Sequence, residues 1–549
     1  MSISKRHFGP VVAGMIILAM ALLVSGCGEL LPGRGLTDDQ PSRPAGQFGG
    51  IWEDFAPRDP QTLDPVYAVT LLEGRILTLV YNGLVRLSAE GRIIPDLAAG
   101  WEIQDDGLTY LFNLRQDAQF HSGRSLTARD VEFSFRRLLD PDTASPRAWV
   151  LSSIAGARQF SEGLAEDLAG VEVLDDHTLR ITLERPYAQF LHHLTMPAAF
   201  VVDGETLSEM SPADWLPVGT GPFMLAEWRS GEHLFFTAFE EYYHGRPFLD
   251  AVRLRVIGNR AAAVDEFAAG NLHAMTIRAA ERQKLLDDEG FMGPMAETTQ
   301  PAVYYLGLNN QIEPLSDPLV RQAIHHAIDR EALLSAVMPG DYVEAHGAIP
   351  PGMPGHDPAR RGRAFDPLKA RQLLTQAGVE EFTLTITQTQ TWRVNELNRA
   401  LAGMLERVGI DVNLRTVSTA EFYRQIDREG DAEAFILSWW ADYPDAENFL
   451  YPLFHSGTWG AGGNRSRFSS PDVDVLLGDL RTAHDEQDRA ELYRQVEDAV
   501  FQRDPWVPLY FPKRYHAVQG VVENYYPAEY YQAQDLWAVW LRNGSDDGE

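Results

Sequence analysis

The chain has 549 residues, a formal net charge of −31 at pH 7 and a single cysteine. That acidity excludes a nucleic-acid binder, which needs a basic face to neutralise phosphates, and it repels anionic lipid, so any membrane residence must come from an anchor. One thiol leaves no disulfide and no cysteine-based zinc site, so stability rests on burial; a body of about 500 residues exceeds one core and predicts roughly two or three domains.

Lys5 and Arg6 form a short basic stretch, and Val11 to Val24 is an apolar run interrupted only by Gly14. The run is shorter than the about 20 residues that cross a bilayer and fits the apolar region of an export signal. It ends in Val24-Ser25-Gly26-Cys27, which resembles the bacterial lipobox, where the thiol is acylated and cleavage leaves Cys27 as the first mature residue. An ordinary export signal with a chance cysteine is the alternative. Residues 1–27 are therefore expected to be a lipoprotein signal peptide and 28–47, rich in Gly, Pro, Asp and Ser, a flexible tether. The tail 543–549 is expected to fray.

Residues 89–186 read as a separate α+β unit. Trp101-Glu-Ile, Thr109 to Leu114 and Thr178 to Leu183 have strand character, and Thr127 to Leu139 reads as a helix opened by a Thr127/Asp130 capping box. Asp317-Pro318 and Asp366-Pro367 open two more helices, the second closed by Gly378. A βαβαβ series follows: strand Phe382 to Thr387, helix Val394 to Arg407, strand Ile410 to Val417, helix Thr419 to Glu429 capped by Thr419, and strand Ala434 to Trp440. This predicts an α/β domain with helices on both faces of a sheet.

Common catalytic signatures are missing. No lysine follows a glycine, so there is no phosphate-cradling GxxxxGK[ST] loop, and neither HExxH nor GxSxG occurs. Gly219-Thr-Gly-Pro-Phe lacks the third glycine of a dinucleotide site. His192-His193 and His325-His326 are adjacent pairs, which diverge on a helix; solvated histidines are expected there, not a shared metal.

The segment Trp439-Trp440-Ala441-Asp442-Tyr443-Pro444-Asp445-Ala446-Glu447 concentrates acids and aromatics just past a strand end. The carboxyl end of a strand is where ligands bind in α/β sheets. Three readings stand: a carboxylate anchor for a ligand ammonium with aromatic walls, a structural turn, or a glycosidase-type acid and base.

Nearly the whole chain, from about Gly49 to Trp540, resembles the family-5 extracellular solute-binding proteins, the oligopeptide- and dipeptide-binding components of ABC importers. The likeness rests on Thr62-Leu-Asp-Pro, Asn82-Gly-Leu-Val, Ile94-Pro-Asp-Leu-Ala, Trp101-Glu-Ile-Gln-Asp-Asp-Gly-Leu-Thr-Tyr and Phe120-His-Ser-Gly-Arg with Leu126-Thr-Ala-Arg-Asp-Val. It continues through Val218-Gly-Thr-Gly-Pro-Phe, Gly245-Arg-Pro-Phe-Leu-Asp, Val320-Arg-Gln-Ala-Ile with Ile328-Asp-Arg-Glu, and Trp440-Ala-Asp-Tyr-Pro-Asp. The resemblance implies a two-lobed periplasmic-binding-protein type II-like α/β fold with an additional inserted α+β domain. Lobe I would comprise residues 48–88, 187–302 and 509–542, the insert 89–186, and lobe II 303–508, with hinge crossings near 302 and 508.

For peptide-binding members it implies backbone pairing with the ligand as an added strand. Asp442 falls where such members hold the ligand's α-ammonium, with Trp439, Trp440 and Tyr443 beside it, and Val69-Thr70-Leu71 matches the backbone-pairing turn of the first lobe. Arg393 lies in the loop that carries a dipeptide-fixing basic residue but does not align with it, so longer or different ligands stay open. The expected function is capture of peptides for an ABC permease, by a lipid-anchored monomer on the outer side of a bacterial membrane, without catalysis, cofactor or metal. Alternatives are a sugar, nickel chelate, haem or opine ligand, a secreted hydrolase using Asp442 with Asp445 or Glu447, and a peptide sensor or chaperone.

Overall fold

The computed structural model describes residues 45–104, 107–209, 216–287, 291, 293–379, 381–527, 530 and 535–542. The expected signal peptide with Cys27, the tether as far as 44 and the tail 543–549 lie outside the described residues. Among the described residues no helix is long and apolar enough to cross a membrane.

Alternating burial builds the first sheet. Ile51–Ala56 turns Trp52, Asp54 and Ala56 inward, pairs in parallel with Ala251–Val256, and is followed across the sheet by His233–Ala238 and Phe223–Arg229. Its core gathers Trp52, Ile76, Leu77, Phe223, Phe236 and Val252.

The largest sheet has eight strands. Phe382–Gln388 lies between Ile410–Thr416 and Ala434–Trp440, parallel to both. Ala434–Trp440 then pairs antiparallel with Ala302–Leu308. Successive residues of that strand face opposite layers: Leu306 and Leu308 join one core with Ile324, Leu373, Ile386 and Leu401, while Val303 and Tyr305 join another with Phe435, Phe449, Leu453 and Trp506. This is the two-sided burial that the βαβαβ pattern requires.

Two chain segments tie the lobes of this α/β fold together. Trp506–Val518 pairs with Ala302–Leu308 as far as Tyr510, and from Lys513 onward with Met295–Thr299. Gln300 N donates to Pro512 O (2.8 Å) where the partner changes. Position 508, where the return crossing is expected, lies inside this strand.

The helix signals translate into caps. Asp317 accepts from Leu319 N (2.8 Å) and Asp366 from Lys369 N (2.9 Å). The helix expected over 419–429 is capped by Ser418, not Thr419, because the Ser418 hydroxyl accepts from Glu421 N (3.2 Å). That helix is α over Thr419–Tyr423 and widens into a π-turn over Arg424–Glu429, ending at Gly430 with φ +63°.

Within 98–182 a separate antiparallel sheet runs Ala98–Ile103, Thr109–Leu114, Thr178–Thr182, Val171–Asp175 in spatial order. The helix Ala128–Leu139 carries the Thr127/Asp130 capping box, and Tyr110, Phe112, Phe135 and Ile181 fill the core beside it.

One histidine of each pair is not solvated as expected. His193 is 4 % exposed and His325 3 %. His193 Nδ1 sits 2.9 Å from Val150 O and Nε2 3.0 Å from the Tyr187 hydroxyl, and burial pushes its pKa down to about 3. Burial likewise holds His325, beside Asp504, down at about 4. A neutral imidazole with two ring nitrogens packs where a solvated charge would not. Among the described residues no group of His, Cys, Asp and Glu is placed to hold a metal.

Candidate ligand-binding cleft

The strand Ala434–Trp440 ends against Pro301, whose carbonyl accepts from Ala441 N (2.9 Å). Asn448 then fixes the next residue: its Oδ1 accepts from Asp442 N (2.9 Å). Asp442 is thereby held at the carboxyl end of the strand. Its side chain is 27 % exposed, enough to be reached from the cleft.

Opposite it, the turn Ala68–Thr70 leads into the helix Leu71–Val80. Val69 and Leu71 are exposed there. A cavity of about 260 Å³ separates the two sides, bordered by Val69, Thr70, Leu71, Trp440, Asp442 and Arg147. Past Leu71, Trp440 and Ala441 a second cavity of about 350 Å³ reaches the strands that join the lobes, with Arg75, Arg260 and His516 on its wall.

The sequence-predicted residues divide into two groups. Asp442, Trp440, Val69, Thr70 and Leu71 meet around one cavity. Trp439 turns away and donates its indole N–H to Asn448 O (2.7 Å). Tyr443 is 2 % exposed; its hydroxyl donates to Glu447 (2.6 Å) and its ring packs on His192 and His193. Arg393 pairs with Asp341 at 3.2 Å and borders neither cavity.

Arg147 is the residue that sequence reading missed. Its Nε donates to Ala68 O (3.2 Å), its Nη2 to Val69 O (3.1 Å), and its Nη1 lies 3.5 Å from Asp442 Oδ1. It therefore touches both sides of the cleft. No local signal marks it, because it lies 295 positions from Asp442. Its loop is pinned beside the first-lobe turn by Ser145 Oγ donating to Val66 O (2.5 Å) and by the Tyr67 hydroxyl donating to Thr143 O (3.0 Å). Burial raises the Asp442 pKa, and the Arg147 charge pulls it back.

Asp445 and Glu447 lie outside the cleft wall. Asp445 accepts from Arg489 (2.5 Å), the Tyr493 hydroxyl (3.0 Å) and Glu447 N (2.7 Å). Glu447 faces Arg481 at 3.4 Å and accepts from Tyr443. Burial pushes Glu447 up to about 7, against the pull of Arg481.

This architecture has known counterparts. Residues 92–461 match the family described as bacterial extracellular solute-binding proteins, family 5 middle. The chain belongs to that family. The solute-binding protein is 30 % identical over 452 residues to Heme-binding protein A of Haemophilus influenzae, covering 78 % of this chain and 81 % of that one. It is also 30 % identical over 466 residues to the probable di/tripeptide-binding protein 5 of Pseudomonas aeruginosa, covering 81 % and 87 %. Among solved structures it is similar to Helicobacter pylori DppA in complex with the peptide STSA (TM-score 0.75, 26 % identity, 90 % of this chain and 99 % of that chain). HbpA2 from Haemophilus parasuis superposes at a TM-score of 0.77, with 26 % identity over 90 % of this chain and 100 % of that chain. Membership makes the protein an extracytoplasmic solute-binding component of an ABC transporter.

Proposed function

We propose that this protein captures peptides between its lobes and delivers them to an ABC permease, with Asp442 as the anchor for the ligand's α-ammonium. The observation that carries the reading is the reachable carboxylate of Asp442 facing the exposed Val69–Leu71 turn across a cavity. Such an arrangement offers a charge for the N-terminus and an extended backbone for strand-like pairing. Relatives named for di- and tripeptides, and a structural counterpart holding STSA, support it. Mass spectrometry of the ligand released by denaturing the purified protein is expected to find peptides; haem, a sugar or a metal chelate in their place would overturn the assignment. Haem is the second reading, supported by the relative named for it.

A purely binding role is supported by the state of the other two acids. Asp445 and Glu447 are buried and engaged by arginines, so neither is offered to the cleft to serve with Asp442 as acid and base. Ligand contacts to both lobes favour the closed form, so X-ray scattering should show compaction at saturating peptide. We further propose that Cys27 is lipidated; Cys27→Ser should release the processed protein from membranes, and full retention of an unlipidated, processed variant would argue against the anchor.

A further inference from the structure

We propose that the Arg147 guanidinium is an internal stand-in for the ligand's α-ammonium, occupying the anchor between ligands and displaced when a peptide enters, which makes it a specificity-determining residue of the cleft. The inference rests on the peptide reading above and deepens it. An α-ammonium carries one positive charge and three N–H donors. Arg147 brings one charge and three N–H-bearing nitrogens to three acceptors: Ala68 O, Val69 O and Asp442 Oδ1. Val69 O belongs to the turn that the peptide reading assigns to ligand pairing, Ala68 O stands just before it, and Asp442 is its anchor.

The fit is looser than that of Arg137 or Arg489 on its own carboxylate. The Arg147 contacts span 3.1–3.5 Å, whereas Arg137 meets Asp64, and Arg489 meets Asp445, at 2.5 Å. Charge-assisted pairs at full strength are short, so this one yields at smaller cost. Both partners remain reachable, at 20 % and 27 % exposure, against 11 % and 9 % for Arg489 and Asp445. The cavity of about 260 Å³ borders both, and gives an incoming N-terminus a place to approach. Once displaced, the guanidinium has the Trp149 ring face beside it, 5.9 Å from its carbon in the present position.

The arrangement has a physical purpose. A partly buried carboxylate without a counter-charge is costly, and Arg147 compensates Asp442 until the ligand does. An internal competitor also taxes apparent affinity. Only a ligand end that brings its own cation can replace the guanidinium; a neutral end leaves it in place on Asp442.

Calorimetry with trialanine and N-acetyl-trialanine tests this on wild type, Arg147→Met and Arg147→Gln. Trialanine is expected to bind both variants roughly tenfold tighter than wild type, about 1.4 kcal/mol, while the acetylated form gains nothing. Scattering from the ligand-free Met variant should give a larger radius of gyration, because the 3.5 Å tie across the cleft is gone. Variants with wild-type melting temperatures that bind trialanine equally or more weakly would overturn the stand-in role and make Arg147 a ligand contact or a bystander. The peptide reading fails differently: wild type itself ignores both peptides. In that case the scattering still decides, since equal ligand-free radii overturn the tie.

Discussion

Within six residues, one segment holds carboxylates in two opposite situations. Asp442 stands at a strand end, partly exposed, with the Arg147 guanidinium 3.5 Å away. Asp445 and Glu447 are 6 % and 2 % exposed, and sit in a network of Arg489, Tyr493, Arg481 and Tyr443. That network also reaches across to residues 187–193. Arg481 stacks between the rings of Tyr187 and Tyr451 at 4.5 and 4.3 Å, its carbonyl accepts from Ala188 N (3.1 Å), and Tyr443 packs on His192 and His193. The difference teaches that composition alone does not mark a ligand anchor. A carboxylate enclosed with its partners is a brace; one left reachable beside a cavity can answer to a ligand.

The comparison breaks most visibly at Asp445. Asp445→Ala leaves Arg489 without its close partner, and removing one member of a buried pair costs about 3–5 kcal/mol. A large fall in melting temperature is expected, with the preference for free over acetylated peptide intact; a stable variant that had lost this preference would reverse the two roles. Asp442→Ala should do the opposite. Leaving a ligand ammonium unpaired costs about 2–5 kcal/mol of binding, read by calorimetry as a loss for the free peptide and a much smaller one for its acetylated form. Equal losses for both would return Asp442 to the status of a turn residue.

Glu447 sharpens the contrast through pH. Burial raises its pKa from 4.5 to about 7, so the folded state binds the proton more tightly than the unfolded chain. The stability it contributes is full below about 4.5 and is lost as pH rises through about 7. Glu447→Gln should remove that slope, so thermal melts across this range are expected to gain on wild type as pH rises; parallel curves would contradict it. The smallest effect belongs to Tyr443→Phe, which deletes one hydrogen bond to Glu447. About 1 kcal/mol of stability should go, by denaturant titration, with peptide affinity unchanged; a large affinity loss would bring Tyr443 back to the ligand.

Much of this protein was legible because local physics repeats. Two-residue alternation marked Phe382–Gln388 and Ile410–Thr416, and Asp-Pro openings marked the helices Pro318–Ala327 and Pro367–Gln376, with Gly378 after the second. The capping box at Thr127 needed only residues three apart. Local signals failed where neighbours compete: Ser418 and Thr419 both suit a cap, and the hydroxyl that reaches Glu421 N wins. The buried histidines were misread for a similar reason, since nothing beside His193 in the chain announces Val150 O or decides that the ring is enclosed.

The sequence by itself determined the α/β class, the family and the strand end at which Asp442 stands, because these depend on periodicity and on motifs in order. Only the tertiary structure decided that Trp439, Tyr443 and Arg393 are engaged elsewhere and that Arg147 reaches Asp442 from 295 positions away. The physical reason is that a side chain's partner is set by which surfaces the fold brings within about 3 Å, and no spacing along the chain encodes that meeting.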